Sequence, residues 1–366
     1  MNRSRASLRI ACVLSAAGLV ASGCSGESSG PGDTVTLSVS HVVSEDHGFS
    51  EAFGAWAEQV TTQTGGAVEF EHFYNSALCQ LPQAVECIGN GTADISFVTH
   101  AYTPELIQQN LSSVPFLAHD LQAASDTHNQ LQETSDAYRK EYDDRNVEVL
   151  FNFTNSPPVV ALKEPIDDFA DLSGKSLRAT GSMAAAMEAI GANPVAVGPS
   201  EIYESVERGV VEGLVLPLET IVDFRLHEVA PYIYDIGEYV GIYAMSMFGM
   251  NQDTFQGLPD EVRQIMATAS TDISTRIVEE WVLPWNAKTC ATAMENGGEI
   301  NAIGPREVGE DWARRGAEQQ RQAWIDSANG KIDNPEAAFD EYVNLYAELS
   351  EGNTPPTHQI CAGSAG

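Results

Sequence analysis

Two stretches of this chain follow the same course. "AVECIGNGTADISFV" (residues 84–98) and "IYESVERGVVEGLVL" (residues 202–216) each run from an amphipathic helix, through a stopping glycine and an acidic residue, into an apolar strand. Gly91 stands where Gly209 stands, and Asp94 where Glu212 stands. A helix, a glycine and a strand in succession are common, because glycine takes the left-handed conformation that ends a helix. Their recurrence at the same place in two successive β/α series constrains the fold more than any other feature. It predicts two similarly built lobes.

The surrounding elements agree. In "TVTLSVSHVV", Val35, Leu37 and Val39 alternate with Thr36, Ser38 and Ser40, the pattern of a half-buried strand. "FSEAFGAWAEQVTTQTGG" reads as a helix stopped at Gly65-Gly66, "AVEFEHF" as a second strand, "PQAVECIGNG" as a short helix and "DISFV" as a third strand. This β-α-β-α-β order implies a mostly parallel sheet. "SEIYESVERG", with Ser200 as its N-cap, and the strand "LVLPL" repeat the scheme. Asn155-Ser156-Pro157-Pro158 splits two strand-like runs and marks a crossing between lobes; "YVGIYAMSMFGMN" marks the return.

Helical periodicity then runs from Leu258 to Gly298, long enough to reach both lobes, with Pro284 as a kink. The expected class is α/β, with two lobes, each a mostly parallel sheet flanked by helices, and a long helix spanning both. Lobe I takes residues 34–153 and 244–284, lobe II residues 154–243 and 285–350, and residues 351–366 form a tail. A chain of 366 residues suits two such cores.

The N-terminus reads as an export signal over residues 1–23. Arg3, Arg5 and Arg9 precede an apolar run from Ile10 to Val20, too short to span a bilayer as a mature helix. Ala21-Ser22-Gly23-Cys24 resembles a lipobox, which makes Cys24 the expected lipidation site and residues 24–33 a tether. Ordinary cleavage at the same point, leaving Cys24 unmodified, is the alternative. Export makes Cys79, Cys87, Cys290 and Cys361 candidates for disulfides, with three pairings possible. Cys79–Cys87, close in sequence, and Cys290–Cys361, which would pin the tail, are the expected pair. Without C-x-x-C or a Cys/His cluster, no metal site is expected.

Acidity restricts partners. The chain has 52 Asp+Glu against 19 Lys+Arg, a net charge of −33, which argues against nucleic acid or an anionic membrane surface. A membrane association is expected only through the lipid anchor. Catalytic patterns are poor. The Gly26–Gly30 G-x-S-x-G lies in the tether, no phosphate loop occurs, and His227-Glu228 lacks a second histidine at zincin spacing. Neither an enzyme nor a bound cofactor is expected.

In open α/β sheets ligands bind beyond the carboxyl ends of the strands. In the first lobe this edge carries His41, His47, Thr99, His100 and Tyr102; in the second, Arg178 and Glu219. Leu216 ends a strand there, and Asn155 and Tyr243 stand at the crossings. Arg178 sits beside a helix N-terminus, where both its guanidinium and the free N–H groups favour an anion. Position alone equally admits a structural ion pair.

The segment around Arg178 resembles the signature region of solute receptors of TRAP transporters, the tripartite ATP-independent periplasmic systems. Its elements are Leu172, Gly174, Arg178, Gly191-Ala192-Asn193-Pro194-Val195, Ser200-Glu201-Ile202-Tyr203 and Glu212-Gly213; "TQTGGAVEFEHFYNSAL" matches an earlier family stretch. The resemblance implies a two-lobed, periplasmic-binding-protein-like fold that closes on a small organic acid and hands it to an ion-gradient-driven permease. It implies that Arg178 pairs with the ligand carboxylate. Relatives often carry a polar residue where Leu216 stands, and some an arginine near Thr154-Asn155. Their absence here predicts a ligand with one carboxylate and a less polar remainder. A lipid-anchored sensing or protein-interaction module is the alternative reading.

Overall fold

The computed structural model describes residues 34–352 and 354–363. The expected signal, the tether and Cys24 lie outside the described residues. The chain begins with β1 (Val35–Ser40), α1 (Gly48–Gln63), β2 (Val68–Phe73), α2 (Ala84–Gly89) and β3 (Ile95–Thr99), followed by α3 (Leu121–Thr134), α4 (Asp136–Asp143) and β4 (Val147–Thr154). It continues through β5 (Pro158–Leu162), β6 (Ser176–Arg178), α5 (Gly181–Ala189), β7 (Asn193–Val195), α6 (Ile202–Glu207), β8 (Gly213–Pro217), α7 (Leu218–Asp223), β9 (Tyr232–Asp235) and α8 (Gly237–Val240). The last part comprises β10 (Met245–Asn251), α9 (Gln252–Gly257), α10 (Asp260–Ser274), α11 (Leu283–Glu295), β11 (Glu299–Ala302), α12 (Arg306–Ala328), α13 (Pro335–Leu349) and α14 (Thr357–Gly363).

These strands form two sheets, ordered β2-β1-β3-β10-β4 and β11-β9-β5-β8-β6-β7. Each is mostly parallel and holds one strand of opposite sense: β10 runs antiparallel to β3 and β4, and β5 to β8 and β9. The cause is the crossing of the chain. A strand that arrives from the other lobe enters at the edge where its new neighbours end, so it must run against them. Ser246 accordingly pairs with Thr99, and Pro158 with Pro217, both at strand carboxyl ends. The backbone N–H of Asn155 donates to the carbonyl of Ala244 at 3.0 Å, so the two crossings run side by side.

Apolar alternation becomes packing. Leu37 and Val39 face a lobe I core with Phe53, Trp56, Phe151 and Phe248. The second sheet is covered on both faces, by Leu177, Met187 and Trp312 on one and by Val159, Leu214 and Ile233 on the other. The long helical run is present: α10 contributes Met266 and Ile273 to the lobe I core, and α11 contributes Cys290 and Ala293 to lobe II. Between them, Val278–Val282 forms a π-helical turn one step before Pro284. Proline supplies no N–H and its ring crowds the carbonyl four residues earlier, so the widened turn sits where the kink is expected.

Three features differ from the expected plan. α6 begins at Ile202 after a three-residue 3₁₀ turn over Pro199–Glu201, so Ser200 does not occupy its N-cap position; Glu201 does. α12 also spans both lobes. Its Trp312 donates from Nε1 to Ala186 on α5 at 3.0 Å, and its Trp324 donates to Ile107 of lobe I at 3.3 Å. A helix of 23 residues, about 35 Å long, has the reach for this. α13 packs Phe339 and Tyr342 against Leu131 and Tyr138 of lobe I rather than against lobe II. The disulfides are Cys79–Cys87 and Cys290–Cys361, as expected; the second fastens α14 to α11.

Candidate functional site

Arg178 is the last residue of β6, and burial of its neighbours holds it at the cleft edge. It is 5% exposed. Its Nε donates to the carbonyl of Val197 at 3.1 Å, on the loop after β7, and the Tyr243 phenol lies beside it. It enters no salt bridge among the described residues. A buried cation is costly unless something anionic compensates it, so the open question about Arg178 resolves against a structural ion pair. Behind it Gly181, at φ 58°, opens α5, a backbone turn that glycine accommodates. Thr180 to Met183, the cap and first turn of α5, border the same space.

That space is a cavity of about 650 Å³ between the two lobes. Lobe II supplies Arg178, Thr180 to Met183, Ala196 to Pro199 and Tyr243; lobe I and its packed helix supply Tyr102, Ile107, Val114 and Trp324. Its wall is thus mainly apolar and aromatic around one guanidinium. The hydroxyl of Ser182 donates to the carbonyl of Ser113 at 3.0 Å, joining the two sides at the rim.

Of the expected site residues, the structure brings Arg178, Tyr102 and Tyr243 onto this cavity. Others serve the scaffold. His41 is fully buried: its Nε2 faces His72 Nδ1 at 3.0 Å and its Nδ1 faces Ser50 at 3.2 Å. Burial, then the neighbouring imidazole of His72, lowers its pKa to about 3, so it is neutral. His100 is also fully buried, with Nε2 at 2.6 Å from the Tyr142 hydroxyl, and burial lowers its pKa to about 4. Both point inward because their strands' inward faces continue into these loops. Thr99, Ser246 and Asn155 form a hydrogen-bonded row, 3.0 and 2.7 Å, that ties β3 and β10 to the crossing. Leu216 is 5% exposed and packs in the core with Val159 and Ile221.

His47 caps α1, accepting from the Phe49 N–H at Nδ1 (3.2 Å), with its ring against Trp285. Its Nε2 lies 3.9 Å from Asp223 on α7, a contact from lobe I to lobe II. Burial lowers the His47 pKa to about 4. Glu219, one turn before Asp223, is 4% exposed and does not line the cavity. Burial pushes its pKa up to about 7.

Trp324, Met183, Ile107 and Val114 were not among the expected site residues. They lie far apart in sequence and read as ordinary helix or loop apolar positions; only the packing of α12 across the lobes brings Trp324 to Arg178.

The description "Bacterial extracellular solute-binding protein, family 7" (DctP) matches residues 39–322. A solute-binding protein of Verminephrobacter eiseniae is 25% identical over 60% of this chain and 65% of its own length, so the chain spans a little under two thirds of that curated relative. Among solved structures, a marine metagenome TRAP solute binding protein specific for aromatic acid ligands, in complex with 3-hydroxybenzoate, superposes with a TM-score of 0.76 at 22% identity, covering 87% of this chain and all of that one (100%). A TRAP solute binding protein from Rhodoferax ferrireducens T118, in complex with copurified benzoate, gives 0.75 at 22%, covering 88% of this chain and 100% of the other. No helix among the described residues is long and apolar enough to cross a membrane. With its two mostly parallel sheets, its inter-lobe cavity and a family match over most of its length, the chain belongs to the family 7 bacterial extracellular solute-binding proteins.

Proposed function

We propose that this protein captures a small monocarboxylate with an apolar or aromatic body and delivers it to the membrane permease of a TRAP transporter. The observation that carries the reading is Arg178: a guanidinium 5% exposed, without a carboxylate partner among the described residues, in the wall of an inter-lobe cavity. A ligand carboxylate matches its planar fork with two parallel hydrogen bonds, and exclusion of water strengthens them. The first-turn N–H groups of α5 add positive potential on the same side. Tyr102, Tyr243, Trp324 and Met183 then offer surfaces for a ring or an alkyl chain.

Two of the solved relatives, which carry 3-hydroxybenzoate and benzoate, support the same class. Closure of the lobes would bend the paired crossings at Asn155 and Ala244. Lipidation of Cys24 would hold the receptor at the outer face of the membrane, beside its permease. Mass spectrometry of ligand released from purified protein tests the reading. A small monocarboxylate in stoichiometric amount is the expected result; a polyhydroxy acid would overturn it.

A further inference from the structure

The lobes also meet away from the cavity, where α1 of lobe I abuts α7 and α11 of lobe II. Lobe I brings Asp46 and His47 to this contact; lobe II brings Glu219 and Asp223 from α7, and Trp285, Asn286 and Lys288 from α11. His47 Nε2 stands 3.9 Å from Asp223 Oδ2. The ammonium of Lys288 lies 4.5 Å from the centre of the Trp285 ring, which itself packs on His47. Glu219 Oε1 accepts a long bond, 3.4 Å, from the Ser156 N–H, the Ser156 hydroxyl lies close by, and Glu219 Oε2 has no partner. Asn286 Nδ2, on the residue whose Oδ1 accepts from the Ser156 hydroxyl, has no partner either.

The contact therefore gathers three carboxyl groups against one ammonium and one imidazole. The imidazole does not compensate them, because burial keeps it neutral at ordinary pH. The Tyr243 phenol, from the crossing, also faces Glu219 and carries no charge at ordinary pH, its pKa raised mainly by burial. We infer that closing the lobes takes up protons at Glu219 and Asp223, so that ligand capture is coupled to pH. This inference rests on the receptor reading above.

The sign follows from the environment. Both pKa values are raised where the lobes touch: Glu219 to about 7 by burial, Asp223 to about 6 by burial and then by Asp46 across the contact. Separation of the lobes removes the Asp46 repulsion and admits water, returning the carboxyls toward their ordinary values. The touching state thus binds protons more tightly. Its gain is full only below the ordinary carboxyl values, shrinks as pH rises above them, and is lost once pH has passed through the raised values of about 6 and about 7.

The test uses benzoate as the probe, titrated calorimetrically from about pH 5.5 to about pH 8.5 in buffers of different ionisation enthalpy. The wild type is expected to lose affinity as pH rises, by up to about tenfold per pH unit for each proton coupled, with net proton uptake on binding. Asp223→Asn and Glu219→Gln, each shown folded by circular dichroism, are expected to flatten this slope. A wild-type affinity independent of pH, or an equal slope in both variants, overturns the inference and leaves the receptor reading intact. Should no carboxylate bind at any pH, the receptor reading falls, and small-angle scattering without ligand decides the inference. A radius that shrinks with falling pH in the wild type and not in the variants sustains it; identical profiles overturn it.

Discussion

The Nε of Arg178 donates to the carbonyl oxygen of Val197 at 3.1 Å. This bond joins the end of β6 to the loop after β7 and fixes one edge of the guanidinium plane. An arginine held this way has lost little further freedom to give up when a planar anion docks, so more of the interaction appears as affinity. The same bond satisfies one donor of the buried cation within the protein, and the Tyr243 phenol lies alongside.

Trp324 reaches this cavity only because α12 crosses from one lobe to the other. Trp324→Ala is expected to lower affinity for benzoate by roughly tenfold, on the order of 1.4 kcal/mol, through lost ring contact. Acetate, with no ring, should lose much less. Equal losses for both acids, measured by calorimetry, would count against a direct aromatic wall.

Leu216, the next-to-last residue of β8, lies within the core of lobe II. Leu216→Asn places an amide there with no partner and should destabilise by about 1–3 kcal/mol in urea unfolding. It should not create binding of gluconate, which the wild type is expected to refuse. Tight gluconate binding by the wild type, or its appearance in the variant, would show that this position meets the ligand.

The Cys290–Cys361 disulfide closes a loop with a sequence separation of 71. Replacing both cysteines with alanine should cost about 2–4 kcal/mol of stability in the loop-entropy model. Limited proteolysis should then cut first beyond Leu349, because α14 loses its fastening to α11. An unchanged unfolding midpoint and an intact tail would refute this role.

His358 on α14 meets Asp235 at the end of β9, with Nδ1 at 2.9 Å and its own N–H at 3.0 Å from the same oxygen. The hydrogen bond to Asp235 raises the His358 pKa, although burial opposes it. A raised folded-state pKa stabilises docking fully below the unfolded value, about 6.5, and the stabilisation disappears as pH rises through the folded value above it. Hydrogen exchange over residues 357–361 should therefore show weaker intrinsic-rate-corrected protection at high pH. His358→Gln should remove that dependence; a pH-independent protection in the wild type would contradict it.

Much of the fold was legible in sequence because it is written in local periodicity. The alternation of Val35, Leu37 and Val39 and the glycine stops at Gly65, Gly91 and Gly209 all became the expected strands and helix ends. Arg178 was legible because a lone cation at a strand end is chemically conspicuous. The histidines misled for a physical reason. A strand end fixes where a residue lies along the sheet and not which face its side chain takes, so His41 and His100 turned into the core. Trp324 was invisible because its place depends on the packing of a helix far along the chain, which no local pattern encodes.

The central claim is that Arg178 binds a ligand carboxylate through its planar fork, and calorimetry with a panel of benzoate, aliphatic carboxylates and gluconate tests it most directly. Wild type, Arg178→Ala and Arg178→Lys should all keep their fold by circular dichroism. The account predicts tight binding of a monocarboxylate by the wild type, none measurable in Arg178→Ala, and a loss of at least about 100-fold in Arg178→Lys, since an ammonium cannot supply two parallel bonds in one plane. Near-normal affinity in Arg178→Lys, or binding that survives in Arg178→Ala, would contradict it.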